Sequence, residues 1–433
     1  MNAPLVLAER LGALYLPLIT ALILALARRR SRRRFAACLL GFLWTMPALL
    51  LLQLLNLKMD WWRFPVVEIG IRGMPLELYA GWIILWGILP TLAFPRLRLA
   101  WVAAIMAALD LTAMPLCRAA IDLNKNWLVG EVAAIGIVLL PALCLARWTQ
   151  QDTHLRLRAA MQVATSALLF LFLIPEIAFA FRRGYSWTPL FSMLGWQRQL
   201  VLLMLMVLAL PGVSAVQEFA QRGQGTPIPY DPPKRLVTSG IYRYLANPMQ
   251  LSCTLVMLFW AAILRNPWLL LAPATSVIYS AGIARWDERQ DLDARFGASW
   301  REYRGEVRDW LPRLIPYHRG APARLYVAGS CTPCSQLQRW IESQSPAGLV
   351  ILPAEALPIS IERITYDPND GSPVVNGIRA VGRALEHLNL AWALAGIVLR
   401  LPGVWQLVQL LMDVSGFGPR QLPNSNACRT HVN

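Results

Sequence analysis

The stretch Gly240-Ile-Tyr-Arg-Tyr-Leu-Ala-Asn-Pro-Met-Gln250 organises this chain. Two apolar segments follow it, broken only at Arg265-Asn266-Pro267, and then the charged run from Trp286 to Arg304, which ends near Trp310-Leu-Pro-Arg313. A change from apolar runs to a polar, aromatic-spaced helix marks a chain leaving lipid for its interface. Residues upstream read as membrane scaffold, and those after 320 read as a separate soluble unit.

Composition supports that division. Of the 433 residues 56% are hydrophobic and 15% charged, with a mean hydropathy of +0.44. Soluble globular chains carry about 25% charged residues, so most of this one belongs in lipid. The net charge of +16 sits as arginines in short loops between apolar runs, which is topological bias and not a nucleic-acid-binding face.

Runs long enough, or nearly so, to cross a ~30 Å hydrocarbon core lie at 11–27, 36–57, 78–94, 99–117, 127–146, 159–181, 200–216, 249–264 and 268–284. That predicts about nine transmembrane segments, the last two a short hairpin that is tilted or only partly spanning. Placing the Arg28–Arg34 block in the cytoplasm puts the N-terminus outside and everything after 284 in the cytoplasm of a bacterial-type inner membrane. Arg182 and Arg183 break this alternation. Residues 60–77, with paired tryptophans, read as an outer interfacial stretch. Glu9 and Arg10 precede the first apolar run, the reverse of a cleaved signal peptide.

Four parts result: an N-terminal helical region over 1–216, a core over 217–318, a soluble unit over 322–420 and a loose polar tail over 421–433. Within the core, the Gly- and Pro-rich loop 217–239 excludes a helix and is either a lid or a plain linker. Leu292, Phe296, Trp300 and Tyr303 form one apolar stripe, with Asp291 and Arg295 paired one turn apart.

The order of motifs from Gly240 to Trp310 resembles the C-terminal signature of the isoprenylcysteine carboxyl methyltransferase and phospholipid methyltransferase superfamily. The resemblance implies an integral membrane enzyme that uses S-adenosylmethionine on a lipophilic acceptor: an isoprenoid, a lipid, or a membrane-associated thiol or carboxylate. It further implies that Gly240, Tyr242, Arg243, Tyr244, Asn247, Pro248 and Glu288 bind or shape the cofactor site, with Phe296, Gly297 and Tyr303 as the closing motif. The chain departs from the pattern at Ala246, Gln250 and Arg289. Such chemistry needs no metal; positioning the reactants is the main task.

In the C-terminal unit, Cys331-Thr-Pro-Cys334 lies between an expected strand at 324–328 and an expected helix at 336–342. A helix N-terminus favours a thiolate, making the pair a redox-active dithiol with Cys331 as nucleophile. Half a zinc site and a purely structural pair are the other readings, and no second Cys/His pair stands at metal-ligand spacing. Residues 324–420 resemble the DCC family of thioredoxin-like thiol-disulfide oxidoreductases, with Ala328-Gly329 where that family has Asp-Gly. That resemblance implies an α/β thioredoxin-like domain and a cytoplasmic thiol reductant as partner.

Asp110 and Glu176 lie inside apolar runs, where an ionisable group is either functional or paired with Arg118 or a polar group of another helix. The expected protein is therefore a membrane methyltransferase with an appended dithiol domain. A membrane thiol-disulfide relay and a non-catalytic lipid-binding protein are the competing classes.

Overall fold

The computed structural model describes residues 3–28, 31–65, 67–182, 184–226, 233–279, 285–329, 332–356 and 361–419; within these, the side chains of 3, 279–290, 332, 333, 356 and 417 lie outside the description. Among the described residues, seven helices are long and apolar enough to cross a membrane: Pro4–Ala27, Arg32–Met59, Leu76–Ala93, Leu99–Leu116, Trp127–Gln151, Leu155–Phe181 and Gly195–Gly223. These are the first seven of the nine expected runs. The remaining two form the shorter helices Pro248–Ile263 and Pro267–Ile278. At 1.5 Å per residue both fall short of ~30 Å, because Asn266 and Pro267 stop the first helix and cap the second through Trp268 N.

The chain divides into two compact units that interleave along the sequence. One holds residues 1–200, 224–233 and 256–274; the other holds 201–223, 234–255 and 275–433.

In the first unit, small residues let helices approach closely. A Cβ on Gly41 would lie 2.3 Å from the Gly87 carbonyl oxygen, and one on Gly81 would lie 2.2 Å from that of Ala13. Such contacts replace the hydrophobic drive that lipid removes. Pro141 and Pro175 cannot donate to the preceding turn. Immediately before them the helices widen into π-turns, Ile135–Leu139 and Leu169–Leu173, without breaking the spans. The stretch 60–77 is stitched into small antiparallel ladders. Trp62 and Arg63 pair with Leu123 and Asp122, and Gly70 and Ile71 pair with Pro75 and Met74. Arg72 and Gly73 both have positive φ, as a two-residue hairpin turn requires.

The intramembrane acids take the second of the expected alternatives, polar groups of other segments, and Arg118 turns to the Pro115 carbonyl. Glu176 binds Arg72 through both oxygens and accepts from Trp187. Asp110 accepts from Trp82 at 3.1 Å. Arg182, which broke the expected charge alternation, lies 4.1 Å above the Trp268 ring.

In the second unit, the Gly195–Gly223 helix continues past 217, so the expected loop begins only after its last π-turn, Phe219–Gly223. The C-terminal part contains strands β1 (Ala323–Val327), β2 (Leu349–Pro353), β3 (Thr365–Asp367) and β4 (Val375–Asn376) in the order β2-β1-β3-β4. β1 and β2 are parallel, joined through the Thr332–Ser343 helix; β3 and β4 form an antiparallel hairpin. Leu325, Val327, Ile341, Tyr366, Ala380 and Ala384 make its core. Two helices, Leu390–Arg400 and Val404–Gly416, follow, bent by 87°. Pro402 and the left-handed Gly403 make that break. The second of these helices exposes Leu407, Leu410, Leu411 and Val414.

Candidate functional site

Gly240 opens a 3₁₀ turn, Gly240–Arg243, with φ +61°, a conformation that favours glycine. A Cβ there would also meet the Glu218 side chain at 2.7 Å. Tyr242 is buried with its ring stacked on Phe219 at 5.2 Å. Tyr244 is fully buried and donates from its hydroxyl to the Glu386 carbonyl at 3.0 Å. These rings shape the turn and present no free face.

The two ends of the sequence signature meet. Tyr303 donates from its hydroxyl to the Tyr242 carbonyl at 2.9 Å, and burial pushes its pKa up, so the hydroxyl stays a donor. Three backbone bonds lace the turn to the segment after 306: Ala246 N to Arg308 O, Arg313 N to Tyr244 O and Tyr317 N to Arg243 O. Tyr303 and Tyr317 pack edge to face at 5.4 Å. The stripe Leu292–Tyr303 does not lie on a continuous helix, because Gly297 takes φ +51° and ψ −124° and kinks it.

Asn247 precedes Pro248, the first residue of the Pro248–Ile263 helix. Its amide donates to Asp309 Oδ1 at 3.0 Å, and Asp309 pairs with Arg304 at 2.6 Å. Asp309 and Arg304 line a cavity of about 690 Å³ whose walls include Asp293, Trp300, Arg301 and Trp310. Arg304 lies over the Trp300 ring, and Arg301 pairs with Asp293 at 2.6 Å. The Glu288 side chain lies outside the described residues, so its distance to Asn247 is not part of this geometry. Asp309, Trp300 and Trp310 are cavity residues that motif reading passes over.

Arg243 faces the other way. Its Nη1 donates to the Tyr317 carbonyl at 3.2 Å and its Nη2 meets His387 Nε2 at 3.3 Å. His387 Nδ1 lies 2.8 Å from the Ala347 carbonyl and must donate to it. Nε2 therefore accepts from Arg243 and from the Tyr366 hydroxyl at 3.0 Å, and the imidazole is neutral. Burial, with Arg243 beside it, holds the His387 pKa well below the usual range.

Beneath the turn lies a buried ion cluster that the motifs did not reveal. Glu218 accepts from Arg383, from Arg400 at 3.2 Å and from Ser239 at 2.7 Å, with Arg222 at 3.5 Å. Arg383 and Arg400 also pair with Glu386. Its local sequence traces are Arg383 and Glu386, three apart, and Glu218 and Arg222, four apart.

Cys331 lies outside the described residues. Cys334 is half-buried in the first turn of the Thr332–Ser343 helix, following β1. Gly329 N donates to Glu355 Oε1 at 3.0 Å, which places a carboxylate beside the loop where the local sequence has none. Among the described residues no cluster of His, Cys, Asp and Glu is arranged to hold a metal.

Residues 196–298 match the family model of phospholipid methyltransferase. The match takes in the Gly195–Gly223 helix, the turn at 240–248 and the two short helices, and stops just before Trp300. This chain is thus a multi-pass helical membrane protein, one segment of which, 196–298, is similar to a membrane methyltransferase family. It matches no curated protein and no solved structure.

Proposed function

We propose that the chain is a membrane-embedded, S-adenosylmethionine-dependent methyltransferase acting on a lipophilic acceptor. The observation that carries this reading is the Asn247–Asp309 hydrogen bond at the edge of the Trp300/Trp310 cavity. It joins the motif turn to a pocket in the same compact unit as most of the family match.

The residues fit the cofactor. A volume of about 690 Å³ falls in the range of small-molecule sites, about 300–1,000 Å³. Indole faces attract a sulfonium cation and stack on adenine. Asp293 and Asp309 suit its ammonium group, and Arg301, Arg304 or Arg308 its carboxylate. S-adenosylmethionine, when bound, supplies an activated methyl group. The protein's part is to bind, orient and exclude water: Asn247 fixes Asp309, Arg304 steadies it from the other side, and the buried Tyr242, Tyr244 and Tyr303 keep the turn rigid. Gly240, Arg243 and Pro248 act through that turn's shape, and Glu288 precedes the same cavity on its helix.

The test is transfer of labelled methyl from S-adenosylmethionine into material extracted from membranes containing the protein. Labelled lipophilic product is expected, with loss of label in Asp309→Asn and Trp300→Ala. Absence of saturable donor binding to the wild type would overturn the reading.

A second reading concerns the C-terminal part. Its strand order, a parallel β-α-β followed by an antiparallel hairpin, supports a thioredoxin-like domain, with Cys334 placed at the helix start after β1. The Cys331–Cys334 pair would reduce a target disulfide to two thiols and become a disulfide itself, and a cytoplasmic thiol reductant would restore it. Unchanged disulfide reduction by a Cys331→Ser/Cys334→Ser variant would set this aside.

A further inference from the structure

A second cavity, of about 250 Å³, lies in the same compact unit and shares no lining residue with the first. Its walls carry four guanidinium groups, Arg222, Arg235, Arg243 and Arg319, with His318 and a single carboxylate, Asp370. From these groups we infer that this cavity binds a phosphate group.

The charge balance favours an anion. Asp370 pairs with Arg222 at 3.1 Å, and Glu302, outside the cavity wall, pairs with the exposed Arg319. Arg222 also touches Glu218. Arg235 forms no ion pair or hydrogen bond among the described residues. Arg243 is 7% exposed, and its Nε has no hydrogen-bond partner. A buried charged donor left unpaired is costly, so an acceptor arriving beside it relieves that cost. Guanidinium groups converging from several segments suit the several oxygens of a phosphate, which accepts paired N–H bonds from each planar fork.

The elements explain why the site has this sign. Arg222 ends a long helix, Arg235 and Arg243 flank the motif turn, and Arg319 enters β1. A lone carboxylate side chain from the protein would neutralise only one of them. The space is several times the ~30 Å³ that one water occupies in the liquid, enough for a phosphate with part of the group that carries it. The inference does not rest on methyl transfer, because the residues proposed to hold the methyl donor line the other cavity.

The experiment uses the full-length protein in detergent at low ionic strength, where charge-based binding is least screened. Inorganic phosphate and glycerol 3-phosphate are the soluble probes, and phosphatidic acid in nanodiscs is the lipid probe. Saturable binding is expected, weakened about tenfold or more in Arg235→Gln/Arg319→Gln, both exposed positions whose replacement should leave the melting temperature unchanged. Displacement of glycerol 3-phosphate by phosphatidic acid assigns the site to a lipid headgroup; its absence assigns it to a soluble phosphate. No saturable binding of any probe to the wild type, or wild-type affinity in the folded double variant, overturns the inference.

Discussion

The Arg383 guanidinium and the Glu218 carboxylate form a buried ion pair although 165 positions separate them. Glu218 ends a membrane-length helix within the matched family segment, whereas Arg383 follows the C-terminal hairpin. Arg383→Met should leave two buried carboxylates with too few partners and cost about 3–5 kcal/mol. Thermal unfolding should show the loss, and a Glu218→Gln/Arg383→Met double variant should recover part of it.

Asn247→Ala removes a neutral donor to a charged acceptor, an interaction worth about 1.5–3 kcal/mol. Donor affinity, measured by equilibrium binding of S-adenosylmethionine, should fall by about tenfold or more. The melting temperature should fall by a few degrees as well, with Arg304 left as the partner of Asp309.

Gly297→Ala tests the kink. A Cβ there meets nothing within 4 Å, so sterics with neighbours are not at issue. Its φ of +51° with ψ of −124° is unfavourable for alanine, and the variant should lose about 1–3 kcal/mol. A melting temperature at or above wild type would show that the helix does not bend there.

His387 sets a pH dependence. The folded state keeps it neutral among Arg243, Tyr366 and the Ala347 carbonyl, with His318 and Arg222 nearby, whereas an unfolded histidine protonates near pH ~6.5. The unfolded chain then binds the extra proton, so stability rises with pH through this window and falls as pH drops from about 7 to about 5. The slope is at most ~1.4 kcal/mol per pH unit for one group. His318, whose pKa burial also lowers, adds in the same direction. His387→Gln should flatten the melting-temperature profile over that range.

The parts of this architecture that repeat locally could be read from sequence. Apolar runs of helix length marked seven spans, and the run at 324–328 marked the first C-terminal strand. The short hairpin at Asn266 was visible because Asn-Pro both ends and starts a helix. What could not be read was anything joined across distance. Asp309 looks like one more acid in a charged segment until Asn247, 62 residues earlier, is seen to donate to it. Glu218 looks like any helix-end acid. The break at Pro402-Gly403 was passed over, and the exposed leucines beyond it follow from how little of Val404–Met412 is covered.

The Glu218 cluster bears on how this molecule can be dissected. Cutting the chain at about residue 320 would strip Arg383 and Arg400 from a carboxylate at the foot of a lipid-spanning helix. Such a stump would misassemble for electrostatic reasons alone, whatever the removed part does. The thiols of the C-terminal portion are therefore best silenced one atom at a time, by serine for cysteine, in an otherwise intact polypeptide.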